Sequence, residues 1–263
     1  MILALLAARP AAAQGAAVLG DSEKEAFLLQ AEVVRTRPTS GGVTGAMRVT
    51  LRRGSLTHDA EIRAVDASRN EVAAYRLDRL LGLGMVPVAV LRAFDDRRSA
   101  FTWWVDSVQL TERERRERNV NAPDPDRWTR QVNVTRTFDQ LIYNSDRNLG
   151  NLVIDGAWRL WMTGHGRAFK VSGNVTNDKA LGDRCSREML AAMRRLDQPT
   201  LVTRLGGLVD RRQIEGLLER RDRIVAHFDR LIAARGEPRV LYDLPPREPR
   251  SSASAKASSA DQP

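Results

Sequence analysis

The stretch Phe138-Asp-Gln-Leu-Ile-Tyr-Asn-Ser-Asp-Arg-Asn-Leu-Gly-Asn151 decides how the rest of the chain is read. Upstream of it, Trp128, Val132, Phe138, Leu141 and Ile142 recur at helical spacing, and the pattern stops at the polar run from Asn144 to Asn151. Downstream, Leu152 to Ile154 and Trp158 to Met162 flank Asp155-Gly156, a dipeptide that predicts a two-residue hairpin turn. A helix, a polar loop and a hairpin therefore follow one another. The loop holds Asp146 and Asn151, five residues apart. Phosphoryl transfer uses such a pair: an aspartate orients or deprotonates a hydroxyl nucleophile, and an asparagine oxygen binds a metal ion that neutralises phosphate charge.

Asn144-Ser-Asp-Arg-Asn-Leu-Gly-Asn151 resembles the D-R-H-x-x-N catalytic loop of the phosphoinositide 3- and 4-kinase-like superfamily of atypical kinases. Arg147 and Gly150 match that pattern, and Asn148 stands where it has histidine. After the hairpin the superfamily has a metal-binding aspartate in a segment like I-D-H-x-x-A-F. Here Met162-Thr-Gly-His-Gly-Arg-Ala-Phe169 matches it at His165, Ala168 and Phe169, with Gly164 in the aspartate's place. Glycine supplies neither charge nor oxygen to a hard cation such as Mg²⁺. Losing one preorganised electrostatic group alone costs roughly 10² to 10³ in rate, so the resemblance implies weak or absent activity, or a softer metal such as manganese.

Further upstream, Asn70-Glu-Val-Ala-Ala-Tyr-Arg-Leu-Asp-Arg-Leu-Leu-Gly-Leu-Gly-Met-Val-Pro87 resembles the superfamily's E-x-A-A-Y-x-L-x-x-L-L-G-L-x-x-V-P helix and following strand. The resemblance makes Glu71 the helix glutamate and Arg63 its partner on the phosphates of ATP. It puts Trp103 and Trp104 at the hinge, Trp104 beside the adenine, and core packing would explain both rings equally well. Ser40-Gly-Gly-Val-Thr-Gly45 fits a loop over phosphates and an ordinary hairpin alike. The implied cofactors are ATP with Mg²⁺ or Mn²⁺, and the acceptor, whether protein, lipid or small molecule, is not given. Each residue singly would also serve a plain structural end, as a cap or a backbone partner. Their order along the chain favours the kinase-like reading, with a binding or scaffolding pseudokinase as the alternative.

The surrounding pattern agrees with an α+β, two-lobed fold. Met47, Val49 and Leu51 alternate with Arg48, Thr50 and Arg52, and Arg53-Gly54-Ser55 turns the chain toward Ala60, Ile62 and Ala64. A helix is expected from Glu71 to about Leu81, ended by Gly82 and Gly84, and two strands from Val86 to Phe94 and Ala100 to Val105. Helical periodicity dominates beyond about Leu110. In the last helix Ile214, Leu217, Leu218, Ile224, Val225, Phe228, Leu231 and Ile232 form one apolar stripe. The expected organisation is an N-lobe over 21–110, a C-lobe over 111–244 and a disordered tail over 245–263 rich in Pro, Ser and Ala.

With 263 residues, 42% of them hydrophobic, the chain can bury a large core. Its 42 Lys and Arg against 33 Asp and Glu give a net charge of +9, which suits acidic partners such as nucleotide phosphates. The basic residues alternate with acids, as in Thr111-Glu-Arg-Glu-Arg-Arg-Glu-Arg118, and no nucleic-acid-binding signature is present, so nucleic acid is not expected as a partner. The single cysteine, Cys185, excludes an intramolecular disulfide and reads as a buried small hydrophobe. Met1 to Ala8 followed by Ala11-Ala12-Ala13-Gln14 resembles a truncated signal peptide lacking its charged start, over residues 1–20. The expected location is periplasmic or secreted, and cytoplasmic if that segment is no signal. No other run approaches a membrane span.

Overall fold

The computed structural model describes residues 19–38, 46–63, 68–145, 147–245 and 247. Helix α1 (Asp21–Gln30) leads into β1 (Glu32–Pro38), which pairs antiparallel with β2 (Ala46–Arg53). β2 turns at Gly54 into β3 (Leu56–Arg63). Val49, Leu51, Ala60 and Ile62 are buried, while Arg48, Thr50, Asp59 and Glu61 alternate with them on the opposite face. Helix α2 (Ser68–Leu80) comes next, then β4 (Ala89–Phe94) and β5 (Arg97–Trp103), completing an antiparallel sheet of order β1-β2-β3-β5-β4. The β4–β5 turn is only Asp95-Asp96, both with positive φ, 47° and 59°. Short aspartate side chains tolerate that conformation.

α2 buries Val72, Ala73 and Leu77 and packs on β4 and β5. Burying a side chain of the size of Val72 or Leu77 contributes about 1.5–3 kcal/mol by leaving water. The helix ends where Gly82 and Gly84 adopt positive φ, 69° and 61°. Asp78, wholly buried, accepts from the backbone N–H groups of Met85 (2.9 Å) and Val86 (3.1 Å), which fixes the connection to β4. Burial pushes its carboxyl above the ordinary range, although Arg79 and those N–H groups pull the other way.

The second lobe opens with β6 (Val108–Thr111), α3 (Glu112–Glu117) and the long α4 (Pro125–Leu141). Asp124 caps α4 through Arg127 N (2.9 Å), with Pro125 at the first helical position. A 3₁₀ turn (Leu149–Asn151) precedes β7 (Leu152–Asp155) and β8 (Leu160–Met162), and the three strands form a sheet of order β6-β7-β8. The expected hairpin is present, but its connection spans 156–159 rather than two residues. The Asp155 carboxylate draws the chain into this longer turn by accepting from Ala157 N (2.9 Å), Arg159 N (3.0 Å) and Trp161 Nε1 (2.9 Å).

β9 (Cys185–Ser186), α5 (Arg187–Arg195), α6 (Gln198–Leu205) and α7 (Arg211–Arg235) follow, then α8 (Glu237–Val240) and β10 (Leu241–Tyr242), which pairs parallel with β9. Ile214, Leu217, Ile224 and Phe228 of the α7 stripe are buried in the core. Cys185 is buried too, and burial pushes its thiol up to about 12. Arg247, which composition assigned to the tail, is packed against Gln131, Leu160 and Trp161. Among the described residues no helix is long and apolar enough to cross a membrane.

Candidate functional site between the lobes

Asp146 and the glycine-rich Ser40–Gly45 lie outside the described residues. The loop around Asp146 is anchored by Asp139, two residues before the end of α4. Its buried carboxylate accepts from Asn144 Nδ2 (3.0 Å) and from Arg147 Nε (2.9 Å) and Nη2 (2.6 Å). Arg147 Nη1 then donates to the carbonyl of Thr163 (2.5 Å). The guanidinium thus braces the loop between the helix end and the residue before Gly164.

Asn148, standing where the resemblance expects histidine, is structural in its visible contacts. Its Oδ1 accepts from Gly150 N (2.8 Å), capping the 3₁₀ turn, and from Arg113 Nη2 of α3 (2.7 Å). The turn delivers Asn151, whose carbonyl accepts from Thr163 N (2.9 Å) and Oγ1 (3.1 Å). Asn151 and Gly164 are brought into direct contact. A Cβ on Gly164 would lie 2.2 Å from Asn151 Nδ2 and 2.5 Å from its Cγ, and Gly164 has a φ of 73°. Asn151 offers one neutral amide oxygen, and the described residues contain no cluster of three or more His, Cys, Asp or Glu able to hold a metal. The described side chains therefore do not fit a magnesium site, which wants several anionic or carbonyl oxygens in near-octahedral array.

Glu71, buried on α2, reaches across the lobes. Its Oε1 accepts from the backbone N–H of His165 (2.7 Å), and its Oε2 lies 3.2 Å from His165 Nδ1. Burial pushes the Glu71 carboxyl up, but the His165 bonds and the Arg63 charge outweigh it and hold the group below its ordinary value. His165 is fully buried, edge-on to Phe138 (centroids 6.1 Å apart), and its Nε2 has no partner among the described residues. Arg63 Nε stands 3.6 Å from Glu71, an ion pair, and closer, at 2.5 Å, to Glu61. Sequence reading did not name Glu61. Burial raises its pKa against the pull of Arg63.

The β2–β3 face that carries Arg63 is charged along its length. Asp59 accepts from Arg48 Nε (2.7 Å), Thr50 Oγ1 (2.7 Å) and Arg37 Nη2 (3.1 Å). Arg48 also lies over the Trp104 ring, 4.1 Å from its centroid. Trp104 thus belongs to this face at the end of β5. Trp103 does not: it is buried, stacked on His58 at 3.6 Å and edge-on to Phe27. The alternation of Arg48, Asp59 and Glu61 with buried apolar residues was the available signal for this face.

No family model and no curated protein matches the chain. Solved structures do. A hydra Fam20 structure with sugar superposes with a TM-score of 0.64 at 12% identity, over 85% of this chain and 92% of that one. The Golgi casein kinase superposes with a TM-score of 0.59 at 13% identity, over 86% of this chain and 80% of that one, and one of its structures has Mn/ADP bound. A Helicobacter pylori proinflammatory kinase, CtkA, gives 0.53 at 13% identity, over 78% of this chain and 98% of that one. At these identities the likeness is one of fold, and the fold of this chain is that of the atypical protein kinases.

Proposed function

We propose that the chain is a kinase-like phosphotransferase of the phosphoinositide-kinase-like type, from a bacterial branch, holding a nucleotide between its lobes and transferring phosphate weakly. The observation that carries this reading is the contact of Glu71 with His165 beside the Asn151–Gly164 pair. It gathers the helix glutamate, the loop asparagine and the position of the missing aspartate at one interlobe edge. Asp146 would orient the acceptor hydroxyl, Arg147 brace the loop that carries it, and Arg63 meet the nucleotide phosphates, with Trp104 near the base. In the reaction the hydroxyl oxygen would bond to the terminal phosphorus, the bond from that phosphorus to the bridging oxygen would break with its electron pair leaving on ADP, and the hydroxyl proton would pass to the Asp146 carboxylate. The Mn/ADP complex of the Golgi casein kinase supports nucleotide as the cleft ligand. The absence, among the described residues, of a cluster of three or more metal-binding side chains supports a low rate.

The test is melting temperature with ATP, ADP and either Mg²⁺ or Mn²⁺, followed by release of ADP in the presence of candidate hydroxyl acceptors. A ligand bound only to the folded state raises the midpoint. A nucleotide shift lost in Arg63→Gln, with slow turnover, supports the reading. A shift without turnover under either metal would favour the non-catalytic alternative. No shift at millimolar nucleotide removes the cleft assignment.

A further inference from the structure

A cavity of about 320 Å³ lies between the α2–β4 connection, α4, the start of α5 and the C-terminal segment. Leu83 and Met85 give it an apolar wall from the first lobe. Arg127 and Gln131 of α4, Glu188 of α5 and Arg247 of the C-terminal segment supply its polar side. The apolar wall is fixed in place, because Met85 N is held by Asp78 (2.9 Å) and Met85 O by Met162 N (2.8 Å). Occupancy here would therefore bear on how the lobes are joined.

On the described wall two guanidinium groups, Arg127 and Arg247, stand with one carboxylate, Glu188. Arg247 donates to Gln131 Oε1 (3.0 Å) and the Leu160 carbonyl (2.8 Å), both neutral, and its buried Nε has no partner among the described residues. Neither Arg247 nor Arg127 forms an ion pair with a described residue, and nearby Arg159 is already matched by Asp155 at 2.7 Å. Glu188 is the one carboxylate on the wall among the described residues, and it accepts from Ser186 Oγ (2.9 Å). Burial chiefly, with repulsion from Arg159 and Arg127 added, lowers the pKa of Arg247 to about 10 despite the attraction of Asp78 and Asp155. A guanidinium so placed gains from an oxyanion, which takes two parallel N–H bonds and loses little to water in a confined site.

We propose that this cavity binds a small organic oxyanion, a phosphate or carboxylate on a short apolar body, with its charge between Arg127 and Arg247 and its body on Leu83 and Met85. The volume is within the range of small-molecule sites and suits a ligand of one ring and one anionic group. The site is separate from the nucleotide reading, since among the described residues none of its lining residues hydrogen-bonds or ion-pairs with Arg63 or Glu71.

Calorimetric titration of the full chain with phenyl phosphate, benzoate and inorganic phosphate tests it. One of the two aromatic anions should bind below millimolar, the better one naming the group, and inorganic phosphate more weakly for want of the apolar contact. Arg127→Gln, whose native side chain bonds to no described residue, should weaken that binding at least about tenfold, or about 1.4 kcal/mol. Arg247→Gln should do the same if it folds, and Arg127→Gln decides the matter if it does not. Three outcomes overturn the proposal: no binding of any probe at millimolar concentration, binding unchanged by Arg127→Gln, or binding lost in Arg63→Gln instead, which would put the anion in the interlobe cleft.

Discussion

The side chain of Asn151 lies in the space that a side chain on Gly164 would need, 2.2 Å from the position of its Cβ. The asparagine side chain thus fills the space beside the glycine. Gly164→Ala and Gly164→Asp should both destabilise the fold by about 1–3 kcal/mol, from the clash and from a side chain at a φ of 73°. Pairing Gly164→Ala with Asn151→Ala should recover part of that loss. A double-mutant cycle on denaturant midpoints measures the coupling, and strict additivity would show that the two side chains do not compete. For the same reason Gly164→Asp alone should not restore metal-dependent turnover.

Arg147 and Asp139 form a largely buried ion pair with two hydrogen bonds, 2.6 and 2.9 Å. Removing one member leaves an uncompensated charge, so Asp139→Leu or Arg147→Met should each cost about 3–5 kcal/mol. The double variant should cost clearly less than their sum. Urea unfolding of the four proteins checks this, and independent losses would mean that the brace is not a unit.

Much of the frame was legible because it rests on periodicity. Val49 and Leu51 against Ala60 and Ile62 gave the β2–β3 hairpin, and the helix carrying Glu71 was marked by Ala73, Leu77 and the glycines that end it. β1 was missed because it is an edge strand whose side chains are mostly exposed, so no alternation marks it. The site was legible only as residue types. That Glu71 would meet the backbone of residue 165 depends on how two lobes close. Glu61 looked like one more solvent-facing strand residue, although its side chain lies against Arg63. That Asn148 stands where the resemblance expects histidine was readable, whereas its bonds to Gly150 and Arg113 needed α3 in place.

The carboxyl of Glu71 is held below its ordinary value in the folded protein, chiefly against burial, by His165 and Arg63. Near pH 4 the folded state thus binds fewer protons at this group than the unfolded chain does. Its contribution is complete above the unfolded value of about 4.3 and disappears as pH falls through the lower folded value. The stability gap between the parent and Glu71→Gln should accordingly hold steady near neutrality and narrow in acid. Glu61 shifts the opposite way, with a raised folded pKa, so the parent's own pH curve mixes two signs. The difference between the two proteins, followed from pH 7 to 3, reports Glu71 together with the part of the Glu61 rise that the Glu71 charge causes. A gap independent of pH would reject the assignment.

Gly216, inside α7, sets two physical effects against each other. Replacing a helical glycine with alanine ordinarily gains about 1 kcal/mol. Here the added Cβ would lie 2.5 Å from the carbonyl oxygen of Val171, a backbone atom that cannot rotate away. The segment is further pinned by fully buried Arg220, which donates to the carbonyls of Lys170 (3.0 Å), Ser172 and Leu141 (2.8 Å). The steric effect should win, so Gly216→Ala lowers the melting temperature. Arg220→Met should free residues 170–172, seen as faster amide exchange there. If Gly216→Ala instead raises the midpoint, the approach of this segment to α7 is looser than the contact implies. In the background of Arg220→Met the penalty of Gly216→Ala should shrink, because a released segment can retreat from the new methyl group.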